Sequence, residues 1–307
     1  MNDPVLNYVD QLLAGFSAHR RRVGHADSSK RRNGHYLRDF AQWVGNRSPS
    51  ELTVADIDCF LNTWCEQFTV RNSRAPAPKT VRNLMSELRA FYDYLDRRDL
   101  LLDADGHAGR NPMPKIELPK IRYTIRSWLE PEEIQQMVDA AATPAELFTV
   151  DWLYGTALRI GEASHVPWQD VDLTRGSILI RSGKTQYSAR RIAMPSDLWT
   201  YVQRHRMRQR ERGLADPTTP VFCTRYGNPV TEQQANRTLR RLAQRAGIKK
   251  KVTCHTLRRS WAMHAVTKMS LEAVAAHLGH VGTATTARHY AQVQFPQVEA
   301  EVRRAFG

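Results

Sequence analysis

Through residues 5–100 of this chain, apolar side chains recur at helical spacing. Val5, Val9, Leu12, Leu13 and Phe16 form one stripe, and Tyr36, Leu37, Phe40, Trp43 and Val44 form a second. Thr53, with Asp56 three positions on, resembles a capping box opening a third stripe of Ile57, Phe60, Leu61 and Trp64. The polar run RNSRAPAPKT then breaks the pattern. A fourth stripe follows in Val81, Leu84, Met85, Leu88, Phe91, Tyr92 and Leu95, with Lys79, Arg82 and Arg89 off its face. The pattern predicts a small all-helical domain over residues 1–105. Residues 106–127 are basic and irregular and contain Pro112, Pro114 and Pro119. Each X-Pro step disfavours helix, so this stretch is expected to be an extended linker.

A second domain is predicted over residues 128–307. Pro131 falls in the first turn of a helix beside Glu132 and Glu133, where the helix dipole favours acids. A further helix is expected around Leu147–Tyr154. SILIR and ARRIAM read as short strands flanking SGKTQYS, whose Ser-Gly opening suits a hairpin turn. Beyond Asp197 the pattern is mostly helical. Val298, Val302 and Phe306 recur every four residues and predict a short amphipathic helix in the tail. The expected fold class is mainly α: a small helical N-terminal domain, then a mixed, mostly helical domain with a small antiparallel sheet.

Composition narrows the partners. With 307 residues, 41% hydrophobic and 25% charged, the chain suits a soluble globular protein. Its formal net charge is +14. So large an excess favours a polyanionic partner, because neutralising phosphates with Lys and Arg drives nucleic-acid binding. Charge alone does not separate DNA, RNA and an anionic membrane. No apolar run approaches the roughly 20 residues that span a bilayer. The N-terminal MNDPVLNYVDQLLAGF lacks the order of a signal peptide, so the cytoplasm is the expected location. Cys59, Cys65, Cys223 and Cys254 form no CxxC pair. They read as small buried hydrophobes in a reducing cytosol, with no metal site or disulfide framework.

Three segments carry candidate chemistry: ALRIGE at 157–162, HTLRRS at 255–260, and LGH at 278–280 followed by Tyr290. Singly, each has an ordinary explanation. Arg159 and Glu162 suit a helix ion pair, His255 and Arg258 suit a polar helix face, and a lone tyrosine suits packing. Together they fit phosphoryl transfer at a DNA backbone. Guanidinium forks relieve repulsion among the nonbridging oxygens and stay charged. A turn lysine can protonate the leaving oxygen, and histidine can accept or share the phenol proton. Fixed cations then replace a metal ion.

These segments resemble the tyrosine recombinase (phage integrase) family, and the layout is most similar to its two-domain Xer-like branch. ALRIGEA resembles the first arginine box, HTLRRS the His-x-x-Arg box, LGH with TTARHY the last box, and NPMPKIELPK the interdomain linker. The resemblance implies an N-terminal core-binding, SAM-like domain and a catalytic domain that clamp the duplex. It implies that Arg159 and Arg258 hold the scissile phosphate and that Lys184 is the general acid for the 5′ oxygen. His255 would accept or share the Tyr290 proton, and His280 would hydrogen-bond a phosphate oxygen. Tyr290 would attack to give a 3′-phosphotyrosine, with Glu162 orienting the arginine and histidine in support. Lys79, Arg82, Lys115, Lys120, Arg122 and Arg126 would track DNA phosphates. Two features depart from the family pattern. His280 and Tyr290 stand ten positions apart, slightly more than is usual, and Arg259 occupies a position where a second histidine is common.

The implied partners are double-stranded DNA with inverted half-sites and a homotetramer assembled on it. A second recombinase or an accessory protein is compatible with the resemblance, and the lack of a long apolar run leaves no membrane partner expected. Strand exchange would pass through a Holliday junction. On motifs alone two other readings stay open: a related topoisomerase that nicks and reseals one strand, and a catalytically silent DNA-binding architectural factor. A relaxation assay on plasmid without a recombination site separates the first, and detection of a covalent protein–DNA adduct separates the second.

The sequence shows neither a carboxylate cluster suited to Mg²⁺ nor a phosphate-binding glycine loop, so no cofactor is expected. A phosphotyrosine also conserves the energy of the broken bond. Cleavage and ligation are therefore expected to proceed in excess EDTA and without ATP. Strict dependence of the chemical step on added divalent metal would overturn this.

Overall fold

The computed structural model describes residues 8–24, 27–102, 109–121, 127–181 and 189–280, and for 27–33 the backbone alone. Lys184, Arg122, Arg126, Tyr290 and the tail stripe Val298, Val302 and Phe306 lie outside the described residues. The chain divides into two compact units, Met1–Tyr123 and Thr124–Gly307.

The first unit is built from α1 (Tyr8–Arg22), α2 (Asp27–Val44), α3 (Val54–Asn72) and α4 (Pro78–Asp96). The Thr53 capping box forms. Thr53 Oγ1 accepts the Asp56 N–H at 3.2 Å, and Asp56 Oδ2 accepts the Thr53 N–H at 2.9 Å. Two of the donors left over at the start of α3 are thus satisfied. Pro78 starts α4, where its missing N–H costs nothing. The stripes meet in an aromatic core. Phe40 is fully buried and lies edge-on to Phe60 at 5.2 Å and to Tyr92 at 6.2 Å.

The expected linker differs from its prediction in one respect. Met113–Lys115 form a single 3₁₀ turn, and Met113 and Ile116 are buried in the first unit's core. Arg89 Nη2 donates to the Ile116 carbonyl at 2.6 Å. The prolines keep this stretch out of an α-helix, but its apolar side chains still have a core to enter.

The second unit contains α5 (Pro131–Asp139), α6 (Pro144–Thr156), α7 (Ile160–Ala163), α8 (Ser196–Glu211), α9 (Glu232–Arg245), α10 (Cys254–Ala265) and α11 (Leu271–Leu278). Helix α6 is the axle: it packs against α5, α8, α9 and α10. It buries Phe148, Val150, Trp152 and Leu153 together with Gly155 and Thr156. A helix apolar around most of its circumference needs neighbours on every side. Strands β1 (Val171–Asp172), β2 (Ser177–Ile180) and β3 (Arg190–Ala193) form an antiparallel sheet in the order β1-β2-β3. The pairing runs from Ser177 opposite Ala193 to Ile180 opposite Arg190. Among the described residues, no helix is long and apolar enough to cross a membrane.

Candidate active site

Arg258 lies one turn into α10 and is 8% exposed. A buried guanidinium is costly unless its donors are used. Here Nη1 donates to the Ala157 carbonyl and Nη2 to the Leu278 carbonyl, both at 2.6 Å. Nη2 also donates to Nε2 of His280 at 3.3 Å. The two carbonyls stand at the C-terminal ends of α6 and α11, where helices leave acceptors without intrahelical partners and carry partial negative charge. Both helices end on a left-handed residue, Ala157 at φ 50° and Gly279 at φ 64°. Ala157 adopts that conformation despite its Cβ, and it is completely buried. Burial, then the neighbouring Arg159 charge, lowers the pKa of Arg258 to about 9, which still leaves it cationic at neutral pH.

Arg159 sits on the chain between those helices, immediately before α7. Its side chain is 44% exposed, so the two arginines differ sharply in access to a ligand. Nη2 donates to the Gly279 carbonyl and Nη1 to Glu162 Oε1, each at 3.3 Å. The Arg159 N–H donates to Glu162 Oε2 at 3.0 Å, which fastens the first turn of α7. Glu162 is 7% exposed. Burial alone would raise its pKa. Hydrogen bonds from Arg190 and from the Arg159 backbone, with the charges of both side chains, bring it below the usual carboxylate value.

His255 occupies α10 three positions before Arg258, on the adjoining part of the same helix face, and is exposed. His280 follows Gly279, and its N–H donates to the Ala275 carbonyl at 3.0 Å. Arg159 thus contacts Glu162, Arg258 contacts His280, and the Gly279 carbonyl joins the two pairs, with His255 one turn away. Lys79 and Arg82 lie on α4, and Lys115 and Lys120 lie beyond it. All four belong to the first unit, and the arginine cluster belongs to the second.

The sequence reading missed Arg190 and His277. Arg190 holds Glu162 through two guanidinium nitrogens at 3.2 Å and donates Nε–H to the His277 carbonyl at 2.8 Å. His277 stacks on Trp261 at 4.2 Å and donates Nε2–H to the Thr156 carbonyl at 3.0 Å. A signal for Arg190 was present. In ARRIAM, alternation puts Arg190 on the same strand face as Ile192 and Met194, both buried. A charge on a core-facing position demands a partner.

Residues 127–297 match the model of the phage integrase family, and residues 12–101 match the phage integrase N-terminal SAM-like domain. A tyrosine recombinase XerC of Oceanobacillus iheyensis is 28% identical over 256 residues, covering 81% of this chain and 79% of the relative. Among solved structures, XerH site-specific recombinase bound to a palindromic difH substrate aligns with a TM-score of 0.72. The identity is 16%, covering 96% of this chain and 84% of that one. A lambda integrase tetramer bound to a Holliday junction aligns with a TM-score of 0.69 at 16% identity, covering 91% and 76%.

The unequal settings of the two arginines have a measurable consequence. Lysine keeps the charge but loses the planar fork. Arg258→Lys cannot reproduce both carbonyl contacts and should cost about 2–3 kcal/mol of stability in urea denaturation. Arg159→Lys alters an exposed side chain and should stay within about 1 kcal/mol of the parent. Equal losses would show that the two arginines carry the same structural burden.

Proposed function

The chain belongs to the phage integrase family of tyrosine recombinases, and from that premise we propose that it is a site-specific recombinase that cuts and rejoins DNA through Tyr290. The observation that carries this reading is the pairing of a buried Arg258, anchored on two main-chain carbonyls, with an exposed Arg159, bridged by the Gly279–His280 turn. Such a pair offers fixed positive charge to a phosphate without the cost of reorganising at the moment of reaction.

In the proposed reaction, the Tyr290 oxygen attacks the scissile phosphorus while its proton passes to His255. Arg159, Arg258 and His280 hold the nonbridging oxygens. The bond to the 5′ oxygen breaks, and Lys184 supplies that oxygen with a proton. The product is a 3′-phosphotyrosine and a free 5′ hydroxyl. A 5′ hydroxyl from the partner duplex then attacks the phosphotyrosine and releases Tyr290, so the number of phosphodiester bonds is conserved. Glu162 acts by orienting Arg159. Two duplexes present four strands, so we assign the active assembly to four protomers on paired inverted half-sites. They would cut in pairs, with a Holliday junction between the two exchanges. Lys79, Arg82, Lys115, Lys120, Arg122 and Arg126 would contribute phosphate contacts that fix position.

Tyr290→Phe keeps the ring and removes the nucleophile. It should retain half-site binding and abolish covalent adduct on a nicked suicide substrate, read on a denaturing gel. Adduct at the parental level would remove Tyr290 from the mechanism.

The tail stripe Val298, Val302 and Phe306 is proposed to dock on a neighbouring protomer. A helix this short buries little apolar area against the entropy lost on association, so the free protein should be largely monomeric. Deleting residues 296–307 should leave single half-site binding nearly intact while weakening paired-site cooperativity and strand exchange in gel-shift and recombination assays. Undiminished recombination of paired sites would exclude this coupling.

A further inference from the structure

We propose that Arg190 is a positioning residue for strand cleavage: it grips Glu162 and the carbonyl of His277 at once, and so fixes both the carboxylate that orients Arg159 and the turn that presents His280. This inference rests on the reading of Arg159 and His280 as phosphate-binding groups.

Geometry is the first support. Arg190 opens β3 on its inward face, and its side chain is 10% exposed. Nη1 meets Glu162 Oε1 and Nη2 meets Oε2, each at 3.2 Å, a fork-on-fork pairing that sets the plane of the carboxylate as well as its place. Nε–H reaches the His277 carbonyl at 2.8 Å. The same carboxylate accepts the Arg159 N–H at 3.0 Å and Arg159 Nη1 at 3.3 Å. One guanidinium therefore ties β3 to the start of α7 and to the last turn of α11. Without it, the Glu162 carboxylate would keep, among the described residues, its hydrogen bonds to Arg159, three positions before it.

The Gly279 turn is the second support. A Cβ built on Gly279 would stand 2.7 Å from Arg190 Nη1 and 2.8 Å from its Cζ. The guanidinium thus lies flat beneath the turn whose carbonyl receives Arg159 Nη2 and whose next residue is His280. Glycine is needed there twice over, for a φ of 64° and for this approach. Arg190 supports the Gly279 turn from below while Arg159 binds its carbonyl.

Charge is the third. Glu162 is faced by Arg159 from the start of α7, by Arg190 from β3 and by Arg258 from α10, with His277 of α11 beside Arg190. Burial works against ionisation of Glu162, and the Arg190 hydrogen bond is the largest influence opposing it. Removing the Arg190 cation should therefore raise the Glu162 pKa. A protonated Glu162 loses its charge attraction to Arg159, so cleavage should fall as the pH drops through that raised value. In the parent, Glu162 stays ionised below that point and the decline is displaced to lower pH.

The test is single-turnover cleavage of a nicked suicide substrate by the full chain, with half-site affinity and melting temperature measured alongside. Arg190→Gln should slow cleavage by roughly tenfold to hundredfold, the size common when a group that orients a ligating side chain is lost. Half-site affinity should change by less than about threefold, well short of the tenfold that 1.4 kcal/mol represents. Arg190→Lys should recover part of the rate, because an ammonium keeps the charge without the fork. The Gln variant should also show the displaced acid limb. Combined with Glu162→Gln, it should be no slower than the slower single variant, since both changes break one linkage. Parental rates in Arg190→Gln would overturn the proposal, as would a loss that is flat with pH and additive with Glu162→Gln. If Arg190→Gln melts too low to assay, Arg190→Lys decides: a parental rate and pH profile overturn the proposal, and a slowed, acid-sensitive rate supports it. Failure of the parent itself to form adduct would instead defeat the recombinase reading on which this rests.

Discussion

The guanidinium of Arg258 sits where two helices end. α6 and α11 approach from different parts of the chain, and each brings carbonyl groups that its own helix cannot satisfy. Arg258 accepts the task from α10, with one hydrogen bond to Ala157 and one to Leu278. Two negative helix ends and one buried cation thus solve each other's problem: the carbonyls offset the desolvation of the charge, and the charge offsets the convergence of like partial charges. Arg159, Glu162 and His280 are all placed relative to this junction. Their segments are the ones that enter or leave the two left-handed turns.

Around it the site is layered by exposure. Arg258 and Glu162 are buried, Arg190 is nearly so, and Arg159 and His255 reach outward. A buried layer that is already hydrogen-bonded can hold an exposed layer still, which is what charge stabilisation at a phosphate requires. The first unit stands on other terms. Its core is stitched from aromatic rings around Phe40, Phe60, Phe91 and Tyr92, with basic residues such as Lys79 outside that core.

Much of this was legible in the sequence because the signals were local. The stripes of α3 and α4, the Thr53 capping box and the SILIR–ARRIAM hairpin each depend on spacing within one element. The boxes around Arg159, Arg258 and His280 were legible as a set, in their order along the chain. The junction itself was not, because Arg258 chooses backbone carbonyls, and a carbonyl has no letter in the sequence. Nor does an alanine announce a left-handed turn at position 157, since tertiary contacts impose it against the residue's own preference. Glu162 read as a partner of Arg159 three positions away, and its second partner, Arg190, arrives from a strand 28 residues further on. Met113 and Ile116 were hidden by the prolines beside them, which describe the backbone but not where the side chains go.

That Arg258 is seated on main-chain atoms has a consequence for descent. Every residue type carries the same carbonyl, so substitutions at 157 and 278 that preserve the backbone path leave both acceptors in place. Glu162, by contrast, is held by the side chains of Arg159 and Arg190, so a change in any one of them removes a contact from the others. The site therefore contains one anchor whose acceptors do not depend on residue type and one chain of contacts that runs from side chain to side chain. The first tolerates any substitution that keeps the backbone path, and the second is exposed to each substitution along it.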